Sequence, residues 1–509
     1  MNFANKRATI IGLAREGMAL ARFLAERGAV VTVSDLKPAE ELGAQIASLD
    51  GLPIRFVLGG HPNEILDGAD VVFVSPGIRP EVPILVEARR RGLPLSSATM
   101  LFFTLCPAPI IGVTGSSGKT TTVTLVGEML RASGARAWVG GNIGQPLIEQ
   151  VEEMEPEEWV VMELSSFQLE FMRQSPHIAA LLNLTPDHLD RHPSFEAYRA
   201  AKLPILRYQG PGDVAILGHD DLATRALRSE CQGRVLFFSQ RVEPEEGAFV
   251  RGDQIFVRCE GEEERVCPVD QVRLRGRHNL DNVLAACAIA RAAGAGREAM
   301  AAVATSFEGV EHRLEWVREL DGVCYVNDSI ATSPRRAMAA LESFEEPIVL
   351  LAGGRYKNLP LEGWAERVRQ KVRHLVLFGE AAPILEEAVH GMGYAQSGRQ
   401  SASPYSLLPT PYSRRDKEQG SPPAYPLSLV IHRCTTLEEA VVIAAGVARP
   451  GDVVLLSPAC TSFDAFRDFA ERGARFKELV KGASGARHFQ SAWHLNAHSL
   501  RWNDGEERR

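Results

Sequence analysis

Short apolar runs alternate with amphipathic stretches along most of this chain. Residues 7–13 read as an apolar strand. Residues 16–27 then carry Met18, Leu20, Ala21, Phe23 and Leu24 on one helical face, and Gly28 stops that helix. Val30–Asp35 is the next strand, with others expected at 54–57 and 71–75. A second series opens near Cys106. It has a strand at 110–113, a helix at 120–132, strands at Trp159–Glu163 and 178–184, and a helix carrying Ala197 to Lys202. From 211 to 272 the runs shorten and turn acidic, and the charged stretch 260–264 reads as a solvated hairpin. Gly276 opens a further helix whose positions 280, 283, 284 and 287 share a face. Beyond Glu311 a third series begins: a strand from Val323, a proline-started helix at Pro334–Leu341, and strands at 348–354, 375–379 and 452–458. Strand–helix alternation of this kind implies parallel sheets with ligands at the carboxyl ends of their strands.

Length and composition narrow the picture. A chain of 509 residues makes room for about three domains of ~150 residues. With 45% hydrophobic and 24% charged residues, it has the makeup of an ordinary globular protein. A net charge of −8 gives no electrostatic ground for nucleic-acid binding. The eight cysteines are scattered without a C-x-x-C pair, which favours reduced thiols in a cytoplasmic protein over a disulfide framework or zinc site. No signal-peptide core opens the chain and no run of about 18 apolar residues occurs, so neither export nor a membrane span is expected. Residues 394–428 are rich in turn formers and read as a surface insertion; the tail 483–509 has no clear period and is expected to be poorly ordered.

The candidate chemistry centres on Thr114-Gly-Ser-Ser-Gly-Lys-Thr120, between the strand at 110–113 and its helix. Glycines let backbone N–H groups close on a phosphate, and the helix N-terminus adds partial positive charge. Lys119 would reach the outer phosphates and the Thr120 hydroxyl would suit Mg²⁺, although Val113 stands where a strict P-loop has glycine. Glu163, at a strand end, sits where a second acidic Mg²⁺ ligand belongs. The first turn, Gly12 to Gly17 with Asp35 closing the next strand, lacks the G-x-G-x-x-G spacing. It fits a structural Rossmann turn, a nicotinamide site, or a different nucleotide with Asp35 on a ribose or base edge. His188 and His192 have zinc-pair spacing, but Pro186 and Pro193 bracket them, so a lone functional His188 is the better reading. Lys202 by itself reads as a surface helix lysine, and Asn279 and Asn282 as capping or ligand-reaching amides.

Assembled in order, these stretches resemble the Mur ligase family of ATP-dependent amide-bond-forming ligases, over roughly residues 7–482. Leu164-Ser-Ser-Phe-Gln168, Thr185-Pro-Asp-His-Leu-Asp-Arg-His192 and Ser457-Pro-Ala-Cys-Thr-Ser-Phe-Asp464 carry the likeness, which is nearest the D-glutamate-adding members. The resemblance implies an α/β protein of three domains. These are an N-terminal Rossmann-like unit (1–104) for a UDP-sugar substrate, a central P-loop ATPase with a mostly parallel sheet (105–311), and a C-terminal Rossmann-like unit (312–482) for the amino acid. It further implies ATP-dependent addition of D-glutamate to UDP-N-acetylmuramoyl-L-alanine, in peptidoglycan synthesis, by a cytoplasmic monomer.

Carried over by motif, Gly115, Ser116, Ser117, Gly118, Lys119, Thr120, Thr121, Asn282, Arg313 and Asp328 fall on the ATP site. Ser34, Asp35, Gly77, Asn142 and His188 fall on the UDP-substrate side, which points the first turn away from NAD. Thr332, Lys357, Ser462 and Phe469 fall on the D-glutamate pocket. Thr120, Glu163, His188 and Lys202 fall on two Mg²⁺ sites, Lys202 as a carbamate, with Lys119, His188 and Lys202 catalytic. One departure stands out: the family commonly has Asn-Asp-Ser-Lys-Ala-Thr, and here Ile330 replaces the lysine. Arg335 or Lys357 is expected to supply part of the missing charge. Within the enzyme class the rival is a sister ligase for another amino acid; outside it, a nucleotide-sugar sensor with an ATP switch.

Overall fold

The computed structural model describes residues 2–187, 191–274, 276–391 and 429–482; His188, the 394–428 insertion and the tail after 482 lie outside the described residues. The chain forms two compact units, Met1–Phe307 and Glu308–Arg509. Between them they hold three sheets.

The first sheet contains β1 (Arg7–Ile11), β2 (Val30–Asp35), β3 (Ile54–Leu58), β4 (Val71–Val74) and β5 (Leu95–Ser96), in the order β3-β2-β1-β4-β5. Every pair in it is parallel. The second contains β6 (Ile110–Thr114), β7 (Ala137–Gly141), β8 (Trp159–Glu163), β9 (Ile178–Leu181), β10 (Val214–Gly218), β11 (Arg234–Ser239), β12 (Gly247–Arg251), β13 (Gln254–Cys259) and β14 (Glu262–Pro268). Its order is β14-β13-β12-β11-β10-β9-β6-β8-β7, parallel except at β12–β13 and β13–β14. The acidic run expected as a hairpin is the β13–β14 turn, where Glu260 takes φ 57°.

Each side of the expected boundary at 104/105 has a core of its own, and a third apolar cluster spans it. Ile10, Leu20, Leu24 and Phe73 share one apolar cluster with Phe102, Ile148, Val151, Met162 and Leu169. Helix Ala98–Leu105 and the 3₁₀ segment Leu147–Glu153 join the two sheets. Joint burial makes residues up to Phe307 one compact body. A second difference concerns helix Arg277–Ala292, expected to bury one face. It is buried continuously from Asn282 to Ala290, because its alanines let helix Lys119–Ala132 and the sheet approach closely.

The third sheet belongs to the second unit. It contains β15 (Glu315–Leu320), β16 (Val323–Asn327), β17 (Ile348–Gly353), β18 (Val372–Phe378), β19 (Val430–Arg433) and β20 (Val453–Ala459), in the order β15-β16-β20-β17-β18-β19. Only β15–β16 is antiparallel. Alternate residues bury into two cores: Leu350, Leu377 and Trp364 on one face, Leu351, Val376 and Phe476 on the other. Strands covered on both faces read as unbroken apolar runs, which is why they are visible in the sequence. No helix among the described residues is long and apolar enough to cross a membrane.

Candidate active site

In the first unit, β6 lies between β9 and β8. Pairing of Val113 with Glu163 puts the carboxylate at the same sheet edge as the glycine-rich loop, one strand away. Gly118 caps helix Lys119–Ala132 in the left-handed region (φ 82°), with no side-chain cap on the first helical N–H groups. A β-carbon on Gly118 would lie 2.1 Å from Asn282 Oδ1, so Asn282 rests directly on the loop. Asn282 Nδ2 in turn donates to Asn279 Oδ1 at 3.0 Å.

The loop is pinned from the β9 side. Ser117 N donates to Asn183 Oδ1 (2.9 Å) and Thr185 N to Ser116 Oγ (2.9 Å). Thr120 Oγ1 donates to Glu163 Oε2 at 2.7 Å, and Asn142 Nδ2 to Glu163 Oε1 at 2.9 Å. Hydroxyl, carboxylate and amide together make a hard oxygen donor set, the kind Mg²⁺ takes. Lys119 Nζ and Lys202 Nζ converge on one acceptor, Gly115 O, at 3.0 and 3.1 Å. Thr121 is buried in the helix's first turn.

Lys202 is not the surface lysine that its local sequence indicates. It is 2% exposed, donates to Thr114 Oγ1 at 3.0 Å and lies 4.8 Å over the Tyr198 ring. Burial and then the Lys119 charge hold its ammonium well below the usual lysine range, against Asp187 and Glu163. Tyr198, whose hydroxyl also lies 3.0 Å from Ser116 Oγ, was not singled out from the sequence. Its position four residues before Lys202 on one helix was the available signal. His192 is buried, 3.1 Å from Ser166 Oγ and stacked on Phe167. The Leu-Ser-Ser-Phe-Gln motif therefore packs this imidazole.

At the first turn, Gly12 has φ 97° and Asp35 accepts from Leu13 N (2.7 Å) and Lys37 N (2.9 Å). Ser34 is fully buried, with its hydroxyl 2.8 Å from His61 Nδ1 and donating to Gly60 O. Gly77 is exposed just beyond β4. The turn also reaches the second sheet. Arg15 donates to Gly144 O (2.8 Å) and Gly141 O (3.2 Å), the loop that carries Asn142. Glu16 accepts from Gln168 Nε2 at 2.7 Å, and burial pushes its carboxyl up to about 7. Arg15, Glu16 and His61 were missed because nothing local marks a residue that reads a distant loop.

In the second unit, Asp328 is buried at the end of β16. It accepts from Ser457 Oγ (2.9 Å) and Leu314 N (3.2 Å), and burial pushes its carboxyl up to about 7. His312 and Leu314 both take positive φ (63° and 45°), and Arg313 lies between them. Ser462 is buried past β20, Lys357 is exposed past β17, and Thr332 and Phe469 are half-buried. Arg336, which the sequence did not single out, reaches position 330: its Nη1 donates to Ile330 O at 3.3 Å. The Lys357 ammonium is held below its usual range by partial burial, then by Arg336 and Arg472.

Three family models match in sequence order: Mur ligase MurD-like N-terminal domain over residues 6–97, Mur ligase middle domain over 113–290, and Mur ligase glutamate ligase domain over 312–460. UDP-N-acetylmuramoylalanine–D-glutamate ligase of Symbiobacterium thermophilum is 46% identical, covering 94% of this chain and 98% of that protein. The enzyme of the same name from Trichlorobacter lovleyi is 42% identical over 94% of this chain and its own whole length. Among solved structures, UDP-N-acetylmuramate–alanine ligase of Thermotoga maritima has a TM-score of 0.53 at 19% identity, covering 94% of this chain and 99% of that one. MurF of Acinetobacter baumannii matches with a TM-score of 0.53 at 18% identity, covering 92% and 93%. These two likenesses concern the fold.

Proposed function

The chain belongs to the Mur ligase family, and on that premise we propose that it joins D-glutamate to UDP-N-acetylmuramoyl-L-alanine at the expense of ATP, a cytoplasmic step of peptidoglycan synthesis. One observation carries the reading. Glu163 is gripped by the Thr120 hydroxyl and the Asn142 amide, while the Lys119 and Lys202 amines meet on the same loop carbonyl. A sensor needs a nucleotide grip; it has no use for a buried amine 3.1 Å from the phosphate-loop backbone.

A carboxylate is a poor acylating agent, so the L-alanyl carboxylate oxygen first attacks the γ-phosphorus and the bond to ADP breaks. The D-glutamate amine then adds to the acyl phosphate carbonyl, and the tetrahedral intermediate expels phosphate while the amine loses a proton. Phosphoryl transfer requires positioning and charge neutralisation more than covalent help. Loop N–H groups and Lys119 supply both, and Asn282 beneath Gly118 keeps the loop in shape. When bound, Mg²⁺ would neutralise phosphate oxygens; Thr120 and Glu163 would hold one ion, and His188 with carbamylated Lys202 a second. Among the described residues no three His, Cys, Asp or Glu side chains cluster for a metal, so phosphate oxygens and waters would complete such a shell.

A neutral amine can add to CO₂ and lose a proton, and the same Lys119 charge that disfavours the Lys202 ammonium would favour the resulting anion. Asp35, His61 and Gly77 serve the uridine end, with Ser34 positioning His61; Arg313 and Asp328 serve the nucleotide. Thr332, Lys357, Ser462 and Phe469 receive D-glutamate, and Arg336 joins Arg335 and Lys357 as a source of the charge absent at Ile330. Phosphate release with UDP-N-acetylmuramoyl-L-alanine and ATP, compared across D-glutamate, L-glutamate, L-lysine and D-alanine, is the direct test. Dependence on D-glutamate alone is expected; release independent of any amino acid would defeat the ligase reading.

A further inference from the structure

Arg472 is, with Trp364, among the largest side chains the second unit buries completely, at 0% exposure. It lies one turn into helix Phe469–Gly482. A guanidinium has five N–H donors, and all five are used. Nε donates to Ser329 Oγ (3.0 Å). Nη1 donates to Gly353 O (3.4 Å) and Thr461 O (3.2 Å), and Nη2 to Ser329 O (3.0 Å) and Cys460 O (3.2 Å).

Every acceptor is neutral. Buried arginines normally face a carboxylate, because an uncompensated charge is costly to desolvate. Here neutral oxygens make every hydrogen bond, and the Asp464 carboxylate offsets part of the charge through space.

The acceptors lie at the ends of β16, β17 and β20, three neighbours in the sheet. Each lies within four residues of one assigned above to the amino acid. Ser329 precedes Thr332 by one short turn, Gly353 begins the loop to Lys357, and Thr461 adjoins Ser462. Phe469 sits on the helix of Arg472 itself, and its carbonyl accepts from Ser329 Oγ at 2.8 Å. Backbone approach is close: a β-carbon on Gly354 (φ 118°) would stand 1.9 Å from Thr461 O and 3.0 Å from Arg472 Nη1.

We propose that Arg472 is the positioning residue of the amino-acid pocket. It spaces the three strand ends that carry Thr332, Lys357 and Ser462, and so sets the geometry in which those residues receive the amino acid. Having no spare donor, it acts through these segments and does not touch the substrate. The proposal deepens the reading above and rests on it.

The test uses the full chain and phosphate release, with D-glutamate varied at saturating ATP and UDP-N-acetylmuramoyl-L-alanine. Arg472→Gln is expected to raise the KM for D-glutamate by about 30-fold or more, with the KM for ATP within about twofold. Arg472→Lys, which keeps the charge and three donors, is expected to recover an intermediate KM. Ser329→Ala removes the Nε acceptor without removing the charge, and should raise the D-glutamate KM about threefold.

A folded Arg472→Gln that raises every KM alike, or lowers kcat alone, overturns the proposal. If that variant does not fold, Ser329→Ala decides, and an unchanged D-glutamate KM there overturns it equally. The wild-type curve comes first: no D-glutamate dependence in it would overturn the function and this inference together.

Discussion

Two buried residues, one in each unit, have their ionisation shifted away from its ordinary range. Lys202 is kept toward its neutral amine by burial and by Lys119. Lys202→Ala is expected to lose most activity and to regain part of it when a short carboxylic acid supplies the missing anion. Full activity in the unrescued variant would end the carbamate proposal. Asp328 shows the opposite sign. Its carboxyl, ordinarily ionising near 3.8, is pushed up to about 7. Between those values the folded protein holds a proton that the unfolded chain releases, so this contribution is full below about pH 4 and is lost as pH rises through 7. Asp328→Asn should flatten that dependence, improving stability at pH 8 by up to about 4 kcal/mol while lowering activity. Denaturant unfolding at pH 5 and pH 8 measures it; equal pH slopes in the two proteins would count against a buried, proton-holding Asp328.

At the level of elements, the phosphate loop is a joint between two helices and a strand end. Gly118 needs its left-handed φ to start helix Lys119–Ala132, and it needs the missing β-carbon to admit Asn282 from helix Arg277–Ala292. Gly118→Ala meets both obstacles. The backbone cost is about 1–2 kcal/mol, and Asn282 must also move. The KM for ATP should rise by about tenfold or more, with the protein still folded by circular dichroism. An ATP KM within twofold of wild type would mean that Asn282 does not shape the loop. The capping box of Ser165 and Gln168 has a similar double duty, since the Gln168 amide that closes it also reaches Glu16 on the first sheet's helix.

Across the whole molecule, the first two sheets share an apolar cluster and the third has its own two cores. A chain ending at Phe307 is therefore expected to fold alone, with native-like circular dichroism and measurable ADP binding, and to form no amide bond. Aggregation of that fragment would show that its core needs residues beyond 307. Sequence alone determined the strands buried on both faces, the glycine-rich loop between strand and helix with its Val113 irregularity, and Glu163 one strand away, because unbroken apolar runs and glycine spacing are local signals. It could not show that the first two sheets fuse into one body or that Lys202 is buried against Gly115 O. Nor could it show that Arg336 reaches position 330, or that Arg472 clamps three strand ends. Those depend on which distant backbone atoms a side chain meets once the sheets have packed, and no spacing along the chain encodes that meeting.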